Sequence, residues 1–297
     1  MVGALAEQDD QTVTQTLYHY TDARGLRGIL EGEAFWFTDY RHLNDPSEVA
    51  YGMNAAVELA AIPNDDLSGL GKLLLDIATD LMQPENFDDH TDFLTASFSE
   101  RPDDLDQWRA YGDNGKGFSI GFAEDLFATN ETEVEEPVHV GKVIYDPDEI
   151  RRRYQHSFDH TATALEGVLS ESRELLADKA IGIPFLRALA NELLAMSWIW
   201  NSLTSKHHAY QNEREVRLIM LGPHERLRKI MRTRVRGNEI VPYVPHHMPL
   251  KTRGSIVEII VGPAGHRHAE RAVGQMLREL GYGEIPVKRS SIPYRPE

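Results

Sequence analysis

The order of strand-like and helical segments constrains the fold of this chain more than any other feature. Segments rich in β-branched and aromatic residues predict strands at 16–20, 34–38, 93–100, 116–123, 138–146, 215–221, 239–245, 255–263 and 285–291. The middle of the chain, residues 148–202, has a helical pattern with a predicted break at 182–184. This is not the regular strand–helix alternation of a doubly wound fold. We therefore predict an α+β fold with a mixed, largely antiparallel sheet and a helical insertion at about 148–205.

Length and composition limit the kind of protein that this can be. The chain has 297 residues, enough for one α+β domain over 16–297 behind a flexible tail at 1–15. It contains no cysteine, which excludes disulfides, thiolate metal sites and cysteine nucleophiles. Its sequence has no apolar run near the roughly 18 residues of a membrane helix and no secretory signal at its start. We expect a cytoplasmic protein that does not bind membranes.

Charge is distributed unevenly along the chain. The formal net charge of −16 argues against broad, non-specific binding of nucleic acid, which needs clustered Lys and Arg. The segment 58–136 is acidic, but 226–236, "RLRKIMRTRVR", is strongly basic. We interpret that run as a solvated helix face, with a local site for an anionic ligand as the alternative.

An imidazole stands in the middle of the first predicted strand, "LYHYT". Side chains alternate along a strand, so Leu17, His19 and Thr21 share one face and Tyr18 and Tyr20 the other. His19 is either a half-buried core histidine or a ligand-binding residue, and the sequence leaves both open. The helix that follows, predicted at 22–31, has Asp22 as its N-cap and Gly32 just past its end.

Two later stretches carry further candidate site residues. In "LDQWRAYG", Trp108 and Tyr111 lie three residues apart and so share one face of a short helix, as an aromatic wall or as part of a core. In "YQNEREVRLIM", alternation places Glu213, Glu215 and Arg217 on one strand face, opposite an apolar face. The pattern fits either an exposed salt bridge or a carboxylate oriented by an arginine toward a ligand.

Metal and triad chemistry have weaker support. The histidine pairs lack the helical spacing of a zinc site, and no nucleophile elbow is present, so we predict no metal. The turn "NDPSE" offers Asp45 and Glu48, which could work with His19 in a hydrolase or nuclease, with or without a metal. A non-catalytic nucleotide-binding module is the third possibility.

Three stretches together carry a family resemblance: "LYHYTDARGLRGILEGEAFWFTDYRHLNDPSE", "SFSERPDDLDQWRAYGDNGKGFSIGF" and "YQNEREVRLIM", followed by the ending "IIVGP…SSIPYR". In these motifs the chain resembles the bacterial family known as domain of unknown function 2971, from about residue 16 to 295. More distantly, a first-strand histidine followed by the helix "GLRGILEGE" resembles the ADP-ribosyltransferase superfamily.

The more distant resemblance implies an ADP-ribosyltransferase-like fold and specific roles for named residues. His19 would hold the ribose of NAD, Tyr111 with Trp108 would stack on nicotinamide, and Glu215 or Glu213 would activate the ribose. Arg24, Arg41 or Arg217 would meet the pyrophosphate. The predicted cofactor-binding residues are Tyr20, Thr21, Asn44, Trp108, Tyr111 and Arg217. The hypothesis requires His19 and the glutamate face to lie around one cleft.

Taken together, these features lead us to expect an NAD-consuming enzyme, an ADP-ribosyltransferase or NAD glycohydrolase. It would use NAD as its substrate and could serve as a bacterial toxin or phage-defence effector. The acceptor, nucleic acid or protein, stays open, with the basic run at 226–236 as the route to nucleic acid. A homo-oligomer is compatible with the sequence.

Overall fold

We describe the fold from a computed structural model, which describes residues 13–43, 47–60, 69–81, 83, 91–127, 138–177, 179–190, 194 and 196–294. Its strands are β1 (Leu17–Thr21), β2 (Ala34–Asp39), β3 (Thr91–Ser99), β4 (Phe118–Phe122), β5 (Val138–Lys142), β6 (Glu215–Pro223), β7 (Arg232–Arg236), β8 (Glu239–His247), β9 (Ile256–Val261) and β10 (Val287–Arg289). Its helices are α1 (Ala23–Gly32), α2 (Ser47–Ala60), α3 (Gly69–Leu81), α4 (Leu105–Ala110), α5 (Pro147–Ala177), α6 (Lys179–Leu189), α7 (Met196–Leu203), α8 (His224–Ile230) and α9 (Ala269–Glu279).

The ten strands form one open sheet with the order β10-β9-β4-β1-β3-β2-β8-β7, and β5 and β6 join it through a pairing of β6 with β3. The pairings with a defined register are antiparallel except that of β10 with β9. This confirms the predicted mixed α+β class with a largely antiparallel sheet.

Strand β3 is where the sheet divides. Strand β6 pairs with β3, and contacts at both ends show its direction. At one end of β3 the Glu100 amide donates to the Arg214 carbonyl, and at the other end Asp92 Oδ2 lies 2.6 Å from His224 Nδ1. Strand β6 therefore runs antiparallel to β3 along one whole edge. Because a strand has only two edges, β1 and β2 must share the other. There β1 pairs only at Ser99, and β2 pairs at Leu94 and Thr95. Among the described residues, neither strand pairs with 96–98, so the sheet is split at this point.

One face of the sheet carries the main hydrophobic core. It includes Leu17, Phe35, Phe37, Phe98 and Leu218, together with Leu26, Ile29 and Leu30 from helix α1. The apolar face predicted for β6 is confirmed, since Val216, Leu218 and Met220 are all buried in this core.

Helix α1 begins as the sequence predicts and ends differently. Asp22 is the N-cap, with its Oδ1 accepting a 2.7 Å hydrogen bond from the Gly25 amide. Gly32 still belongs to the helix, and the left-handed position after it is taken by Glu33 at φ 45°, so the prediction of Gly32 beyond the end was wrong. A Cβ at Gly28 would overlap the Trp36 ring, which shows how closely α1 lies on β2.

The described residues between 44 and 91 and between 143 and 211 form a compact helical unit. In it a Cβ at Gly52 of α2 would overlap the backbone of Ser202 in α7, so these two helices pack closely. The break predicted at 182–184 is absent from the described residues, because α6 runs through Pro184. The sheet, α1, α4, α8 and α9 form the other unit.

The basic run at 226–236 is not one solvated helix face, and that interpretation was wrong. Helix α8 ends at Ile230, and Arg232–Arg236 form the edge strand β7, which pairs with β8. Alternation along β7 places Arg232, Arg234 and Arg236 on one face. These three arginines therefore share one face of the sheet. In a helix, residues spaced by two would point in different directions.

The helices of the described residues are too short or too polar to span a bilayer. Within those ranges, none combines the length and the apolar composition needed to cross a membrane.

Candidate functional site

A pocket lies where the sheet splits between β1 and β2. It is a small, partly open pocket whose empty space of about 300 Å³ includes open solvent at its mouth, and it is lined by His19, Thr21, Gly25, Ile29, Phe35, Trp36, Ala96, Phe98 and Arg234. Its lining joins one cation and one imidazole to several aromatic rings. Small-molecule sites generally have this composition, mainly apolar walls with a few polar groups that orient the ligand.

His19 occupies the gap left in the β-ladder. Its Nδ1 lies 2.9 Å from the Ser97 carbonyl oxygen and therefore donates to it, and its ring lies against Phe98 with centroids 5.6 Å apart. Burial lowers the pKa of His19, and the charge of Arg234 lowers it further, against the opposing effect of the Ser97 hydrogen bond. A neutral ring that donates through Nδ1 has an unprotonated Nε2. Nε2 makes no hydrogen bond to a described residue, so it can accept one from a ligand hydroxyl.

Arg234 enters the pocket from β7. Its guanidinium carbon lies 4.9 Å from the centre of the Trp36 ring and 5.6 Å from that of Tyr243, and Nη2 donates to Thr38 Oγ1 at 2.8 Å. Strand pairing produces this arrangement, because β2 pairs with β8 and β8 with β7. Cation–π contacts hold the charged group against two flat surfaces.

The predicted aromatic wall belongs to a separate core cluster. Trp108 is 0% exposed, lies edge-on to Tyr20 with ring centroids 4.8 Å apart, and donates from Nε1 to Asp103. The Tyr20 hydroxyl donates to the Arg101 carbonyl. A fully enclosed indole has no free face for nicotinamide, so the stacking role predicted for Trp108 is not compatible with this arrangement, nor is direct cofactor binding by Tyr20.

Tyr111 and Glu213 are brought together. Tyr111 packs against the Tyr20–Trp108 cluster, and its hydroxyl donates to Glu213 Oε1 at 3.2 Å. The Glu213 carbonyl accepts a 2.6 Å hydrogen bond from Ser99 Oγ. Glu213 ends a 3-10 turn and is not part of β6, which begins at Glu215. Its position beside a partly buried tyrosine is therefore set by a turn, whereas the sequence assigned it to a strand.

Glu215 and Arg217 form a buried pair. Arg217, 1% exposed, donates from Nε and Nη2 to the two carboxylate oxygens of Glu215 at 2.8 and 2.9 Å. They project from the face of β6 opposite the core residue Val216, as predicted. The pair is buried, and the exposed salt bridge that the sequence left open does not occur. Arg217 is thus buried in an ion pair with Glu215 and is not positioned to bind a pyrophosphate.

The structure does not bring His19 and the glutamates to one cleft. His19 extends toward the core face of the sheet, beside Phe98, whereas Glu215 and Arg217 extend from the other face. Thr21 shares the pocket with His19, in agreement with the predicted face of β1.

Other predicted residues lie elsewhere. Arg41 bridges the buried carboxylates of Asp39 and Asp92 at 3.1 and 3.0 Å, and Arg24 is exposed. Asn44 and Asp45 lie outside the described residues, as does the side chain of Glu48. Within the described ranges, no group of three His, Asp or Glu side chains is arranged to hold a metal ion.

Trp36 and Arg234 are the pocket residues that sequence reasoning missed. The alternation in "RTRVR" could have indicated a strand with its arginines on one face. Nothing in "AFWFTD" distinguishes Trp36 from its neighbours, because its place at the pocket depends on the departure of β2 from β3.

Comparison with known proteins supports one of the two resemblances in part. Residues 107–218 match a family model described as "Protein of unknown function (DUF2971)". The matched range includes the Tyr111–Glu213 contact and excludes His19 and Arg234. No curated protein and no solved structure matches the chain.

Proposed function

We propose that the protein binds NAD or a closely related nucleotide in the split-sheet pocket. The observation that carries this proposal is the convergence of His19, Trp36 and Arg234 around one cavity. The imidazole Nε2 suits a ribose hydroxyl, the indole suits a flat ring, and the guanidinium suits a phosphate. The cavity is small for a whole dinucleotide, so we assign to it one end of the ligand.

NAD consumption is the second candidate function, and the Tyr111–Glu213 contact favours it. Cleavage of the nicotinamide–ribose bond passes through an oxocarbenium-like state that a nearby carboxylate stabilises. The Tyr111 hydroxyl donates to the Glu213 carboxylate, and both residues lie within the range that matches the family model. For this second candidate we assign the catalytic carboxylate to Glu213, at a site beside Tyr111 that is separate from the split-sheet pocket.

Calorimetric titration with NAD, paired with an assay of nicotinamide release, tests both candidates. We expect saturable binding by the wild-type protein, and a loss of affinity of roughly tenfold or more in His19→Ala and Trp36→Ala. Release, measured in parallel, should fall in Glu213→Gln without an equal loss of NAD affinity. Glu258→Gln, outside the pocket, serves as the matched control.

The outcomes separate the two candidates. Unchanged NAD affinity in both pocket variants would contradict the binding proposal. Binding without release in the wild-type protein would reject NAD consumption and leave the binding module.

A further inference from the structure

Arg234 is a half-buried cation whose charge is not neutralised nearby. Within the part of the chain that the structure describes, no carboxylate lies within 4 Å of its guanidinium, and its buried Nε has no hydrogen-bond partner. Burial lowers the pKa of Arg234, and neighbouring Arg236 lowers it further. Because an arginine stays protonated, its charge remains partly buried and costs free energy. An anion bound beside the guanidinium would offset that cost.

A purely structural role explains only part of this geometry. The contacts with Trp36 and Tyr243 account for the position of the guanidinium, and Thr38 satisfies one of its five N–H groups. A clamp between strands needs no unpaired donor at Nε. Arg236, on the same strand, shows the usual alternative, since it pairs with Glu239 at 3.1 Å and donates to the His42 carbonyl.

Asp22 is the other charge that acts on Arg234. It favours the protonated guanidinium, but its Oδ1 is engaged by the Gly25 amide at the start of α1, and it makes no ion pair with Arg234 among the described residues. Asp22 does not line the pocket, so Arg234 is the charged side chain among the lining residues, beside a neutral His19.

We infer that the Arg234 guanidinium binds a phosphate group of the ligand, through N–H groups that Thr38 does not use. Two parallel hydrogen bonds from one guanidinium match two oxygens of a phosphate. The phosphate then lies beside Trp36, so a ring linked to that phosphate reaches the indole, and His19 Nε2 meets a hydroxyl or a protonated phosphate oxygen. The ligand class is a nucleoside phosphate. The identity of the ring rests on the proposed nucleotide function of this pocket. The phosphate contact does not depend on that proposal.

Titration calorimetry with AMP, adenosine and inorganic phosphate at constant ionic strength tests this inference. The variants are Arg234→Met, Arg234→Lys and the matched control Arg232→Met, an exposed arginine on the same strand and face. For the wild-type protein we expect AMP to bind at least roughly tenfold more tightly than adenosine. Arg234→Met should abolish that difference, Arg234→Lys should recover part of it because it keeps the charge without the fork, and Arg232→Met should change it less than about twofold.

Each outcome bears on the phosphate contact. Equal binding of AMP and adenosine by the wild-type protein would overturn it. So would a loss of the preference for AMP in Arg232→Met as large as that in Arg234→Met. If inorganic phosphate binds and is lost in Arg234→Met while NAD and AMP bind no better, the phosphate contact is supported and the nucleotide proposal fails. If Arg234→Met unfolds, Arg234→Lys and the wild-type preference for AMP still decide the question.

Discussion

Single residues in this protein owe their chemistry to the backbone around them. His19 completes a strand edge that β1 and β2 leave open, and the bond from Nδ1 to Ser97 fixes which nitrogen remains available. The same enclosure lowers its pKa. One ring nitrogen of His19 can thus bond to the backbone of β3 while the other accepts a hydrogen bond from a ligand. The two interpretations left open by the sequence, a half-buried core histidine and a ligand-binding residue, are therefore compatible.

Stability should fall as the pH falls below about 6.5, the ordinary pKa of histidine. The pKa of folded His19 is lowered by burial, so between that value and 6.5 the unfolded chain binds a proton that the folded chain does not. The free energy of unfolding therefore rises with pH across this window. Urea unfolding at pH 5, 6, 7 and 8 should show a shallower rise in His19→Gln.

His246 provides a comparison, since burial also lowers its pKa and it lies outside the pocket lining. His246→Gln should also make the rise of the unfolding free energy with pH shallower, but it should not weaken NAD binding. A His19→Gln profile parallel to that of the wild-type protein would show that His19 is not the proton-linked group.

The Glu215–Arg217 pair should be costly to break. Removing one member leaves a buried charge without its partner, so Arg217→Met should lower the free energy of unfolding by about 3–5 kcal/mol. The double variant Glu215→Leu/Arg217→Met should recover part of that loss, because neither charge is then buried alone. Chemical denaturation measures both, and a loss below about 1 kcal/mol in Arg217→Met would mean that the pair is solvated in solution.

Among the elements, helix α1 and strand β2 together form one side of the pocket. Gly28 is the contact point, because any side chain there meets the Trp36 ring. Gly28→Ala should destabilise the protein by about 1–3 kcal/mol through overpacking, and it should also weaken NAD binding by displacing the indole.

Gly32→Ala is the control within the same helix. A Cβ at Gly32 meets only Ala34 Cβ, at 4.0 Å, so this variant should be neutral or stabilising by about 0.4–1 kcal/mol. Thermal unfolding of both variants separates the steric effect from helix propensity. Equal stability changes in the two would rule out the close contact between α1 and Trp36.

Elements with a clear local pattern could be predicted from the sequence, and elements defined by pairing could not. Asp22 caps α1 because its side chain and spacing suffice, and the apolar positions of β6 follow from alternation. Strand β7 was missed because arginines in an edge strand resemble a basic helix, and only its pairing with β8 distinguishes them. The split at β3 depends on three strands from distant parts of the chain, which no local pattern encodes.

At the scale of the whole molecule, the charge distribution bears on the predicted nucleic-acid partner. The net charge is −16, and Arg236 of the basic run pairs with Glu239 while Arg234 turns toward the pocket. We therefore predict weak, strongly salt-dependent binding of single-stranded RNA, absent at roughly 0.15 M salt and micromolar protein. Fluorescence anisotropy tests this, and tight binding at that salt that is lost in Arg226→Glu/Lys229→Glu would instead identify α8 as a nucleic-acid surface.

The central claim, that the split-sheet pocket binds a nucleotide through His19, is tested most directly by histidine NMR. Long-range nitrogen–proton spectra, with His19 assigned by its loss in His19→Gln, report the tautomer and the environment of each ring nitrogen. We predict a neutral His19 protonated at Nδ1, whose Nε2 signal shifts on saturation with NAD while that of His139 on β5 stays in place. A His19 signal that does not move, at an NAD concentration where calorimetry shows full occupancy, would place the ligand elsewhere and contradict the account.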